Sequence, residues 1–247
     1  KNGYACRSAF KLTQIDDRFK IFSKELTHCV LDIGSNPGSW LQVAASRSHS
    51  KSLVIGVDRK ISPSVRSLDL GIRVAHNGQT HRLCKTSNEH DVHLIDGDIS
   101  DPKTQTKIKL IIKNCPKRSN VILSDVSPDR SGDNIRDYTD AARLNADILY
   151  FVTSDGLLAH GGHFICKVIG GSGYTNELID FCHRNFERAK IYKPESSRRT
   201  SSEQYLVAQF YSRNSGHYGK TKGRNSAGVE RFGIDSWPGL VSAQRRR

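Results

Sequence analysis

The chain of 247 residues has no methionine, few tryptophans and no apolar run long enough to cross a bilayer as a helix. The last of these absences excludes a helical membrane span. The first, with a start at Lys1, creates the expectation that an N-terminal piece precedes this chain, so the lack of a targeting segment here excludes nothing. The six cysteines, at 6, 29, 84, 115, 166 and 182, form no CxxC pair and no cluster. A disulfide framework is therefore disfavoured, and free thiols in a reducing compartment are expected. Acidic side chains are also scarce: 25 against 38 Lys and Arg, a formal charge of +13. A polyanion is the natural partner of such a chain, and nucleic acid leads that class. An anionic membrane surface, or solubility alone, is the competing explanation. Hydrophobic content of 36% with 26% charged residues suits one sizeable α/β domain, or at most two small ones.

Short apolar runs alternate with helical patterns. Ser8, as a capping serine, opens the amphipathic stretch SAFKLTQIDDRFKIF, with Leu12, Ile15, Phe19 and Phe22 at helical spacing. Seven strands are predicted, at 29–33, 53–57, 92–96, 120–124, 163–168, 189–192 and 204–211. The helices between them fall at about 38–48, 102–114, 136–158 and 174–186. This alternation predicts a mostly parallel sheet with helices on both faces. No helix separates the last two strands, so the last is expected to run antiparallel. Residues 59–91 read as a polar insertion, and 212–247 as an extended basic tail with eight Lys/Arg against two acids. The expected domain is thus 1–211.

The segment VLDIGSNPGSW (30–40) is a buried strand ending in Asp32, then a Gly/Pro turn, then a helix. Glycine lets the backbone approach a ligand, and a new helix presents free N–H groups. The next strands deliver Asp58 and then Asp98, where ribose hydroxyls are held in nucleoside sites of this architecture. Three acids would repel a pyrophosphate, and Gly34-x-x-x-Gly38 lacks the GxGxxG of dinucleotide sites. S-adenosylmethionine (SAM) fits better than NAD. Candidate cofactor residues are Asp32, Gly34, Pro37, Gly38, Ser39, Trp40, Asp58, Asp98, Ile99 and Asp125. Asp125, in SDVSPDRSG (124–132), ends a strand where a doubly wound sheet has its cleft, although a turn aspartate reads the same way. Lys167 stands at the end of HFICKV, where a lysine can lean into solvent or serve as a working amine.

These segments carry a resemblance. RSAFKL, LDIGSNPGSW, SDVSPDRSG, FICK and SSRRTSSEQYLVA, in this order, resemble the FtsJ/RrmJ family of RNA 2′-O-ribose methyltransferases. ISDPKTQTKI, NVILSD, GGHFICK and KPESSRRTSSEQY are similar to its mitochondrial large-subunit rRNA uridine branch. The likeness covers about residues 3–211 apart from the insertion. It implies a Rossmann-like SAM-dependent methyltransferase fold and a Lys-Asp-Lys-Glu tetrad on Lys11, Asp125, Lys167 and Glu203. It implies cofactor contacts at Gly38, Trp40, Asp58, Asp98 and Asp125, ribosomal RNA as partner and a mitochondrial location. Asn36 and Ser39 stand where the family has small Ala or Gly, and Val126-Ser127 replaces its common Met-Ala.

Lys167 could act as a cation that steers the ribose hydroxyl or as a base that takes its proton; the residues leave both open. Arg7, Lys11, Arg130, Arg198 and Arg199 are candidate phosphate contacts, each with a solvated surface charge as its alternative. His81, Cys84, His90 and His93 have zinc-like spacing, but the central gap is short for a finger, so no metal is expected. Two other functions compete with rRNA methylation: an rRNA-binding assembly factor that does not need turnover, and methylation of a tRNA.

Overall fold

Five consecutive buried residues, Cys29–Ile33, with no polar alternation, are what a central strand covered on both faces requires. The computed structural model describes residues 3–66, 72–76, 79–83, 90–115, 119–126, 131–169, 173–198 and 201–212. The chain divides into a compact unit, Lys1–Tyr211, and a second, Ser212–Arg247. In the first the order is α1 (Ser8–Phe19), β1 (Cys29–Ile33), α2 (Ser39–Arg47), β2 (Leu53–Asp58), α3 (Pro63–Arg66), β3 (Ile72–His76), β4 (Gln79–Leu83) and β5 (His90–Asp96). Then come α4 (Pro102–Lys113), β6 (Ser119–Ser124), α5 (Asn134–Ser154), β7 (Leu158–Ile169), α6 (Gly173–Asn185), β8 (Phe186–Tyr192) and β9 (Glu203–Tyr211).

All seven expected strands form, in one sheet ordered β4-β3-β5-β2-β1-β6-β7-β9-β8. β1 pairs in parallel with β2 and β6, and β9 runs antiparallel to both β7 and β8, as expected of the last strand. The polar stretch 59–91, read as an insertion, holds two further strands. It contributes β3, parallel to β5, and β4, antiparallel to β3, at the sheet edge. Asn77-Gly78 lies between them, a strong hairpin signal that polar composition hides.

Side-chain alternation divides the sheet into two buried faces. Val30, Val54, Val92, Val121, Leu123, Ile165, Tyr205 and Val207 join Leu12 and Ile15 of α1 and Trp40, Leu41 and Val43 of α2 in one core cluster. The opposite face takes Leu31, Ile55, Ile122 and Phe164, all fully buried, and α4, α5 and α6 pack against β5, β7 and β8. Among the described residues, no helix is long and apolar enough to cross a membrane.

The chain leaves β1 in one direction for β2 and β5 and returns on its other side for β6 and β7. Ligand clefts of doubly wound sheets open at this reversal, beyond the carboxyl ends of the strands. Asp32, Asp58 and Asp125 all stand at that end.

Candidate active site

The turn after β1 is built for close backbone approach. Gly34 has φ +82°, and a Cβ there would come 3.0 Å from the Val126 backbone nitrogen, so only glycine fits. Gly38 (φ 97°) opens α2 with no side-chain cap, which leaves the first N–H groups of the helix for a ligand. Pro37 lies half-buried between them. Asp58 holds the turn from the next strand: its Oδ2 accepts from the Asn36 backbone N–H at 3.0 Å and its Oδ1 from Lys60 N–H at 3.2 Å. Each carboxylate oxygen has a second lone pair, so capacity remains for hydroxyls. Asp98, exposed, accepts from Ser100 N–H at 2.8 Å, while Ile99 is buried beside it.

Asp32 lies beneath the turn with no exposure. Neither of its oxygens has a hydrogen-bond partner among the described residues. Burial first, then the negative charges of Asp125 and Asp58, push its carboxyl well above the usual range. An excess of acid at this strand end suits a cationic ligand carrying hydroxyls and disfavours a pyrophosphate.

Ser39 and Trp40, both buried, reach back to α1. The Ser39 hydroxyl meets the Ser8 hydroxyl at 2.6 Å, and the Trp40 indole N–H donates to the Ser8 carbonyl at 3.0 Å. Both side chains tie α2 to α1. Ser8 itself is no cap: it is the first helical residue, Arg7 occupies the cap position, and no side chain caps this end.

The structure brings Lys11, Asp125, Lys167 and Glu203 into one continuous cluster. Lys11 Nζ donates to Glu203 Oε1 at 2.5 Å across 192 positions of sequence. Lys167 Nζ donates to the Asp125 backbone carbonyl at 2.8 Å and lies 3.2 Å from its Oδ1. Tyr205, fully buried, joins the two pairs: its hydroxyl is 2.6 Å from Glu203 Oε1 and 3.1 Å from Asp125 Oδ1. One hydroxyl carries one proton, so Tyr205 donates to one carboxylate at a time, and the shorter contact favours Glu203. Burial, then the charges of Asp125 and Glu203, raise its phenol well above the ordinary value. Burial would also raise Glu203, but hydrogen bonds from Lys11 and Tyr205 and the nearby Lys11 and Lys167 charges outweigh it and hold this carboxyl below its usual range.

Two residues of the site escape sequence reading. Tyr205 reads as one more apolar position of a buried strand. Asn145 of α5 has no exposure; its amide donates to the Lys167 carbonyl at 2.7 Å, and its oxygen accepts from the Ser124 hydroxyl at 2.8 Å. It thereby fixes the backbone that carries Lys167 and the residue before Asp125 from below. A polar residue inside the apolar periodicity of a helix was the available signal.

Of the candidate phosphate contacts, Arg7 and Arg198 are exposed; Arg130 and Arg199 lie outside the described residues. Among the zinc-like residues, His90 is buried with Nδ1 3.0 Å from the Ser52 hydroxyl, and His93 lies three positions on, across the pleat of β5.

Comparison with known proteins identifies the family. The model of the FtsJ-like methyltransferases matches residues 4–211. The chain belongs to the FtsJ-like methyltransferase family. It is 35% identical over 212 residues to a protein named ribosomal RNA large subunit methyltransferase E from Haloquadratum walsbyi, covering 85% of this chain and 70% of that protein. The protein of the same name from Syntrophobacter fumaroxidans is 32% identical over 207 residues, covering 84% of this chain and 89% of its own. Among solved structures, a ribosomal RNA methyltransferase from Plasmodium falciparum matches with TM-score 0.60 and 26% identity, over 84% of this chain and 98% of that one. In this FtsJ-like chain the matched region contains both the glycine turn and the lysine–carboxylate cluster.

Proposed function

We propose that this FtsJ-like protein methylates a ribose 2′-oxygen of ribosomal RNA with SAM as donor, and that its target is the mitochondrial large-subunit rRNA. The observation that carries the reading is the linked cluster of Lys11, Glu203, Tyr205, Asp125 and Lys167 beside the glycine turn. rRNA is the substrate class named for its relatives, and the mitochondrial location rests on the four segments that resemble that branch.

Asp58 and Asp98 would take the hydroxyls of the cofactor's nucleoside, and Asp32 with the open start of α2 would hold its amino-acid end. Bound there, the cofactor supplies a methyl group on a cationic sulfur. The protein's part is positioning: a hydroxyl is a poor nucleophile, and holding it in line provides much of the rate. Lys167, anchored by two oxygens of Asp125, would steer the 2′-oxygen through an N–H, and the hydroxyl proton would leave to solvent as the new O–C bond replaces the methyl–sulfur bond and the sulfur becomes neutral. Glu203 fixes Lys11 beside the same spot, where its ammonium meets the adjoining phosphate.

Two measurements test this. Lys167→Ala is expected to lose at least a hundredfold in methyl transfer to rRNA, within the range for one positioned catalytic group, with cofactor affinity in calorimetry unchanged; normal turnover would refute the role. Mapping 2′-O-methyl groups in rRNA after depletion should show one lost ribose methyl. If all rRNA positions stay methylated and a tRNA site disappears, the substrate assignment is wrong.

A further inference from the structure

Helix α1 presents Lys11, Gln14 and Arg18 at i, i+3 and i+7, one stripe of the helix. This stripe faces the segment joining β8 to β9. Lys11 reaches Glu203, and the Gln14 side-chain oxygen accepts from the Ser196 backbone N–H at 2.9 Å. Arg18 Cζ lies 5.3 Å from the centroid of the Tyr192 ring and 5.8 Å from that of Phe19. Those two rings meet edge to face at 5.4 Å, half-buried against the core. Tyr192 is in turn the cross-strand partner of Tyr205, whose hydroxyl touches both carboxylates of the active site. Seven residues of helix, about 10 Å at roughly 1.5 Å each, thus lead from Lys11 to Arg18 along an unbroken wall.

Arg18 is exposed and pairs with no carboxylate among the described residues. Its neighbour Asp17 is engaged by Arg47 at 2.5 Å. A guanidinium resting on aromatic rings uses its face for packing and keeps its in-plane N–H donors, and its orientation is already restricted before a ligand arrives. The surroundings have the same sign: from Lys190 to Arg198 the segment KIYKPESSR holds three bases and one acid, Glu195. Shielding two rings would need only an aliphatic stem. An unpaired fork held over those rings, in basic surroundings on the wall that begins at the catalytic cluster, fits a phosphate.

We propose that Arg18, braced by Phe19 and Tyr192, is a phosphate-binding subsite for the RNA strand that enters the active site, fixing its backbone without reading sequence. This rests on RNA being the substrate. The test measures binding of a labelled, unstructured single-stranded RNA to the full chain over a series of salt concentrations, by fluorescence anisotropy. Arg18→Gln keeps most of the stem over the rings and removes the charge. It is expected to weaken binding roughly tenfold at low salt and to reduce the slope of log K against log salt by about 0.7, the value for one phosphate contact on a single strand. Arg18→Lys should restore the slope, and melting temperature and cofactor affinity should not move. An unchanged slope in Arg18→Gln overturns the subsite, as does weaker binding that merely accompanies a lower melting temperature. If the unaltered chain methylates RNA while Arg18→Gln keeps its slope, only the subsite fails. If the unaltered chain binds no RNA, the subsite and the proposed substrate fail together.

Discussion

A carboxyl group with no donor in reach is costly inside a protein, and Asp32 has none among the described residues. Its raised pKa means that the folded chain holds the proton to higher pH than the unfolded chain, whose value lies near 3.8. The sign follows: stability is greatest below that value and declines as pH rises through the folded pKa. Asp32→Asn removes the titration with little change in shape. Its melting temperature should exceed that of the parent at neutral pH, and the gap should close toward pH 3.8. The same variant should bind the proposed cationic cofactor less tightly, because an amide, unlike the carboxyl, cannot give up a proton and pair with the cation as a carboxylate. A gap independent of pH would show that Asp32 is satisfied and ionised throughout. Asp58, at the neighbouring strand end, differs in that both of its oxygens are engaged by backbone donors.

Elements differ in how openly the sequence declares them. β1 and β2 are apolar runs ended by glycine or aspartate, and their parallel partners follow from the helices between them. β3 and β4 are invisible to hydrophobicity because IRVAH and QTHRL are half polar, and they are found only through their pairing: β3 with β5, and β4 with β3 as the end strand of the sheet. The site divides the same way. Lys11, Asp125, Lys167 and Glu203 sit in recognisable segments, whereas Tyr205 and Asn145 act through contacts formed only when distant elements meet. Asn145 is where α5 as an element bears on the site, since one side chain spans β6 and β7. Asn145→Ala leaves the Lys167 carbonyl and the Ser124 hydroxyl without their partner. We expect a loss of about 1–3 kcal/mol for each group orphaned, read by denaturant unfolding. Methyl transfer measured well below the melting temperature should fall while cofactor affinity is kept, because the amide holds the strand that carries Lys167 and not the turn. Full activity in a destabilised variant would mean that α5 supports the fold only.

On the scale of the whole molecule, charge dominates. The thirteen net positive charges are shared between the domain and the stretch 212–247, which holds six of them, and three adjoin in Arg245-Arg246-Arg247. If the ribosomal RNA backbone is the partner, each base that meets a phosphate releases counterions, and affinity becomes steeply dependent on salt. The proposed Arg18 subsite would give a localised contact near the lysine–carboxylate cluster; the terminal arginines would give a delocalised one, adding affinity without adding orientation. The two can be separated. Replacing Arg245, Arg246 and Arg247 with serine should reduce the salt slope for single-stranded RNA by about 2, at roughly 0.7 per contact. The rate of methyl transfer at saturating RNA should stay the same. Changing Arg18 acts on orientation as well, so it should lower that saturating rate in addition to affinity. If the serine variant loses saturating rate, the terminal arginines meet RNA at the reacting end and the division between anchoring and positioning is wrong. If its slope is unchanged, the excess charge of the last residues serves something other than RNA.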